Sequence, residues 1–207
     1  MRPDNYKYFA DLLLNTSGLA LGDNKDYLLN ARLCPIAEKH GLDDLDALID
    51  LLKKNPRAPM AEELIEAMTT NETSFFRDGN PFELMIKHLL PKLIEKRKAT
   101  KKLRIWTAAA STGQEAYSIA LGIKERVPAM AGWNLEIFGT DISNHALNRA
   151  REGLYNHFEV QRGLPATYLI KHFTKEEKHF RLKPEIMKGI RFQKANLRDP
   201  FASFGKF

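Results

Sequence analysis

"RIWTAAASTGQEAY", Arg104 to Tyr117, decides the fold. It opens as a strand, passes through a loop of small residues and ends as the start of a helix. A strand, a tight loop and a helix form the unit with which open α/β sheets hold nucleotide-like ligands at their strand tips. The dinucleotide fingerprint asks three glycines of such a loop, and only Gly113 is present. Gly113 suits a sharp turn into the helix. Ala108 and Ala109, at the strand end, let a ligand come close to the backbone. Free amides at the helix start could serve a phosphate. Glu115 in the first turn would repel a pyrophosphate and suits a cation or a hydroxyl donor. Its plain structural reading is a carboxylate on the positive pole of the helix.

Downstream, "NLEIFGTDI" reads as a second strand, "SNHALNRAREGLY" as a helix capped by Ser143, residues 165–180 as helical, and "GIRFQKANL" as a third strand. Alternating strands and helices predict a parallel, doubly wound sheet. Asp141 sits at the second strand's carboxyl tip, where an acid accepts ribose hydroxyls or caps the next helix. Asn196, past the third strand, offers the donor and acceptor that read an adenine edge; it also fits a plain turn. Upstream, "TTNETSFFRDGNPF" is either a helix cap at Asn71 or Thr73 or a flap with Arg77 aimed at an anionic group.

Before residue 100 no strand pattern appears. Helices are expected over residues 5–17, from a cap at Asp23 or Asn24 to about His40, and in "LDDLDALIDLLKKN" and "PMAEELIEAMTT". Residues 1–70 carry 8 Lys/Arg against 12 Asp/Glu, and residues 71–207 carry 24 against 14. Opposite charge signs suggest two modules. The predicted fold is a small all-α N-terminal domain, 1–68, followed by an α/β domain, 69–207. No run approaches the ~18 apolar residues of a membrane span. The one cysteine, Cys34, excludes an internal disulfide, fits a reducing cytoplasm and gives no support to a metal site.

"TTNETSFFRD", "RIWTAAASTGQEAYSIA", "FGTDIS" and "KANL" stand in the order and approximate spacing of the CheR-type chemotaxis receptor methyltransferases, and the chain resembles that family throughout. The resemblance implies a partial Rossmann-like class I methyltransferase sheet, made of its first three parallel strands with their helices. It implies S-adenosylmethionine as cofactor, S-adenosylhomocysteine as product, and the glutamate carboxylates of a methyl-accepting chemotaxis protein as substrate. By position, Asn71, Thr73 and Arg77 resemble the cofactor-covering segment, with Arg77 near the departing methyl as the catalytic residue. Ala109 and Glu115 resemble the first-strand loop, Glu115 toward the methionyl amino group. Asp141 resembles the ribose acid, and Asn196 with Leu197 the adenine contacts. A sulfonium cofactor without pyrophosphate needs no glycine triplet and welcomes an acid, which accounts for the loop.

The resemblance also implies later strands and a small antiparallel insert, neither of which is read in residues 1–207. The expectation is therefore a fragment with impaired activity, its first strand an open edge that a second copy could complete. The second helix, "NKDYLLNARLCPIAEKH", mixes Lys25, Arg32 and Lys39 with Asp26 and Glu38, unlike a basic receptor-docking helix. A catalytically silent cofactor-binding sensor or scaffold is the alternative. A nicotinamide oxidoreductase is disfavoured by the missing glycines and Glu115. A nucleic-acid methyltransferase is disfavoured because no "DPPY"-like segment occurs and the aromatics do not interleave with a basic run.

Overall fold

The computed structural model describes residues 1–22, 24–56 and 58–207. Asp23, one of the two caps expected for the second helix, lies outside the described residues. The chain divides into two units: Met1–Thr70 with Asn196–Asp199, and Asn71–Ala195 with Pro200–Phe207.

The first unit is helical, with α1 Pro3–Ser17, α2 Asp26–Lys39, α3 Leu45–Lys54 and α4 Pro59–Met68. Pro3 and Pro59 stand in first turns, where a missing N–H costs nothing. Asp44 caps α3 by accepting from the Ala47 amide at 2.7 Å. Asn24 does not cap α2; Lys25 occupies that position and makes no side-chain cap bond. Phe9, Leu13, Leu29, Leu33, Leu48, Ile49, Leu52 and Leu64 bury a single core at helical spacing.

The second unit begins with α5 Asn80–Leu84, a π-helical turn Met85–Leu89 and α6 Leu90–Arg97. Pro91 has no N–H to close an α-type bond to Lys87, and the wide turn falls on that residue. Then follow β1 Lys102–Ala108, α7 Gln114–Arg126, β2 Asn134–Asp141, α8 Asn144–Glu152, β3 Leu154–Asn156, α9 His157–Gln161, α10 Ala166–His172, β4 Phe173–Glu176, β5 His179–Leu182, α11 Pro184–Met187 and β6 Ile190–Lys194. The parallel sheet runs β1-β2-β6, the order expected for the first three strands. Among the described residues β1 is paired on one side only. Ile137 on β2 and Tyr117 and Leu121 on α7 belong to the core between sheet and helices. Trp106 and Phe138 instead meet the rings of Phe204 and Phe207.

Further expectations are overturned. Residues 165–180 are not helical throughout: α10 stops at His172 and a β4–β5 hairpin follows. With β3 it makes an antiparallel sheet of order β3-β5-β4, so an antiparallel insert does interrupt the α/β unit. Nor does the helix after Asp141 reach Tyr155. Gly153, at φ 60°, ends α8, and Tyr155 lies on β3. The hairpin escaped because its strands are short and mostly polar, with Phe173 and Leu182 their buried apolar anchors.

Candidate active site

The tips of β1 and β2 lie side by side, Ala108 paired with Thr140. Beyond β1 the chain enters a loop in which Ala109 (φ 57°) and Ser111 (φ 49°) are left-handed. Non-glycine residues there cost of order 1–3 kcal/mol each, so surrounding bonds must enforce them. Those bonds are present. The Ala110 amide donates to the Thr140 carbonyl at 2.8 Å, and the Ser111 amide to Asp141 Oδ2 at 2.8 Å. Tyr155 Oη donates to the Thr112 carbonyl at 2.8 Å, so the antiparallel insert holds the loop from behind. Gly113, at φ 92°, turns the chain into α7 where a Cβ would stand 3.0 Å from Ala150 Cβ and Tyr117 Cε2.

Asp141 is buried, and its other oxygen accepts from the Ser143 amide at 2.9 Å. Ser143 caps α8 itself, accepting from Ala146 at 3.0 Å. Asp141 therefore joins the β1 loop to the β2 loop. It does not cap α8. Each carboxylate oxygen retains acceptor capacity for a hydroxyl.

Glu115 lies in the first turn of α7, and its carboxylate has no hydrogen bond or ion pair among the described residues. Partial desolvation raises its carboxyl above the ordinary value, although the residue is exposed. An unpaired acid against a strained loop is chemistry that suits a cationic group.

The segment from Asn71 is tied to the same place. Ser111 Oγ donates to the Asn71 carbonyl at 2.7 Å, and Asn71 Nδ2 reaches Ser143 Oγ at 3.5 Å. Glu72 pairs with Arg162 at 2.7 Å, which holds its carboxyl below the usual range. Thr73 is half-buried. Phe75 is fully buried, its ring 5.0 Å from that of Tyr155 and 5.9 Å from that of Phe173. Its carbonyl lies where a Cβ on Gly163 would be 2.0 Å away, so the glycine lets the insert press on the segment. Arg77 is exposed, with Nη1 3.3 Å from the Glu72 carbonyl.

Asn71, Ala109, Glu115 and Asp141 thus gather around one loop, with Thr73 and Arg77 on the segment tied to it. Asn196 and Leu197 belong to the helical unit, where Asn196 Nδ2 donates to the Thr16 carbonyl and Leu197 is exposed. Sequence reasoning missed Ser111, Tyr155 and Ser118. A hydroxyl inside a helix, as at Ser118, is a weak signal, and Tyr155 was hidden by the helix reading.

A parallel sheet whose second strand ends in a buried acid, and whose first loop lacks the glycine triplet and leads to an unpaired acid, is consistent with a Rossmann-like methyltransferase domain. Residues 71–207 match the family model "CheR methyltransferase, SAM binding domain" and residues 4–69 match "CheR methyltransferase, all-alpha domain". The chain belongs to the CheR methyltransferase family, and its methyl donor is S-adenosylmethionine. It is 35% identical over 207 residues to "Chemotaxis protein methyltransferase Cher2" of Pseudomonas putida, covering 98% of this chain and 75% of that one. It is 37% identical to "Chemotaxis protein methyltransferase 1" of Pseudomonas aeruginosa, with 98% and 75% covered. With "Chemotaxis protein methyltransferase" of Escherichia coli it shares 29% identity, covering 93% and 66%.

Proposed function

We propose that this methyltransferase transfers its methyl group to glutamate carboxylates of the cytoplasmic region of a methyl-accepting chemotaxis protein, and works in the cytoplasm. The observation that carries the site is the joining of Asn71, Ser111, Asp141 and Ser143 in one bonded network, with Glu115 unpaired beside it.

When bound, S-adenosylmethionine supplies an electrophilic methyl on a sulfonium. Glu115 holds the cationic amino end of the cofactor. Asp141 accepts a ribose hydroxyl with its remaining lone pairs, and Ala109 lets the backbone come close. Asn71 and Thr73 lie in the segment that covers the site. Arg77 orients the incoming carboxylate, for which its planar fork is suited. The acceptor is already ionised near neutral pH, so no general base is needed. Catalysis then rests on alignment. The adenine contacts of Asn196 and Leu197 rest on the resemblance alone; an Asn196→Ala chain with undiminished cofactor affinity removes them.

The one-sided pairing of β1 supports a finer reading: turnover below that of the Pseudomonas putida relative, and association through this edge with a second copy. It also favours a second reading, a cofactor-binding sensor without turnover. Light scattering and a side-by-side methylation assay test these points.

The central test pairs calorimetry of S-adenosylhomocysteine with methylation of a receptor cytoplasmic fragment. Arg77→Ala is expected to lose turnover by about a hundredfold, as when an interaction made in the transition state is removed. Full turnover in that variant removes Arg77 from the chemistry. Binding without any transfer to glutamate, by this chain and by the relative alike, refutes the substrate.

A further inference from the structure

The segment that carries Arg77 turns sharply just around it. Phe76 (φ 48°) and Asp78 (φ 64°) are both left-handed, and neither is glycine. A strained turn keeps its shape only where its polar groups are held. The Gly79 amide donates to the Phe76 carbonyl at 3.0 Å, closing the turn on itself. The Phe76 amide is held from outside, by Ser118 Oγ of α7 at 2.9 Å. Ser118 is fully buried and donates its own proton to the Gln114 carbonyl at 2.6 Å. That donation fixes the hydroxyl rotor so that a lone pair faces the Phe76 amide. Gln114 opens α7, one residue before Glu115.

We infer that Ser118 is a positioning residue: its hydroxyl sets the turn at Phe76 and thereby the direction of Arg77. The inference rests on the reading of Arg77 given above. Asp141 is held by the Ser111 and Ser143 amides, and the Glu115 carboxylate makes no bond to Ser118, so loss of the Ser118 hydroxyl acts on turnover and spares cofactor affinity. Packing alone does not explain the arrangement. The Phe76 ring is already seated 5.3 Å from Phe82 and 5.8 Å from Tyr168, yet neither ring can satisfy the amide.

The test uses the full chain with Ser118→Ala, Ser118→Thr and Arg77→Ala, alone and combined. Amide exchange reports the turn directly and needs no turnover. Ser118→Ala is expected to exchange the Phe76 and Arg77 amides about tenfold faster. Affinity for S-adenosylhomocysteine should stay within about twofold while methyl transfer falls about tenfold. Ser118→Thr, which keeps a hydroxyl, should restore exchange and turnover. In the Arg77→Ala background Ser118→Ala should add no further loss, because both act through one group. Unchanged exchange in a folded Ser118→Ala chain overturns the inference. So does cofactor affinity that falls in step with turnover, or a loss that adds in full to that of Arg77→Ala. If Arg77→Ala alone keeps its turnover, the reading of Arg77 fails, whatever the exchange data show for Ser118.

Discussion

The tip of β2 and the first turn of α7 each carry one acid, and the two are used in opposite ways. Asp141 has both oxygens taken by backbone amides of two different loops. Glu115 has no partner among the described residues, and desolvation raises its pKa. Burying a carboxylate is costly unless donors surround it. Asp141 meets that condition by serving as architecture. Glu115 does not, and it stays exposed at the start of α7. The site thus separates an acid that builds the loop from an acid left unpaired, which the proposed function assigns to the cationic end of the cofactor.

Removing the architectural acid should have the largest effect. Asp141→Ala leaves the Ser111 and Ser143 amides unsatisfied in a buried place, at about 1–3 kcal/mol each. A urea titration should show a loss of about 2–6 kcal/mol, with cofactor binding abolished. A loss near zero would mean that the loop's left-handed residues are held by something other than Asp141.

Tyr155→Phe sharpens the same comparison from behind the loop. It keeps the ring against Phe75 and deletes only the bond to the Thr112 carbonyl. About 1 kcal/mol of stability should disappear, with cofactor affinity weakened less than by Asp141→Ala. An effect as large as that of Asp141→Ala would make the insert, not the carboxylate, the chief support of the loop.

Glu115→Gln should leave stability nearly untouched and move binding instead. The folded carboxyl holds its proton to a higher pH than the unfolded one. Stability from this group is therefore greatest in acid and falls as pH rises from the unfolded value through the raised folded value. At neutral pH Glu115→Gln should match or slightly exceed the parent in stability. Its affinity for S-adenosylhomocysteine should drop about tenfold, the size of one charge-assisted hydrogen bond. In the parent chain, affinity should decline on acidification with a midpoint above 4.5, the ordinary value for a glutamate. A parent profile as flat as that of Glu115→Gln removes the charge from recognition.

Much of the site was legible in the sequence because short-range chemistry writes it. A small-residue loop after a strand, an acid at the next strand tip and Ser143 before a helix each follow from local geometry, and Ser143 does cap α8. Gly113 was legible for the same reason: the turn requires its φ. The antiparallel sheet was not legible, since strands of 3 and 4 residues carry too little alternation to register. Tyr155 and Ser118 were missed because each makes its decisive bond to a residue more than 40 positions away, 43 for Tyr155 and 42 for Ser118.

The sequence by itself determined the helical module, the parallel sheet, the acid at the tip of β2 and the acid in the first turn of α7. Those features rest on periodicity, turn chemistry and side-chain type, all of which act over a few residues. Only the tertiary structure decided which acid supports the loop and which stands unpaired. That choice depends on the Ser111 amide, which a loop 30 residues away brings to Asp141 beside its local bond from Ser143; no such donor reaches the Glu115 carboxylate among the described residues.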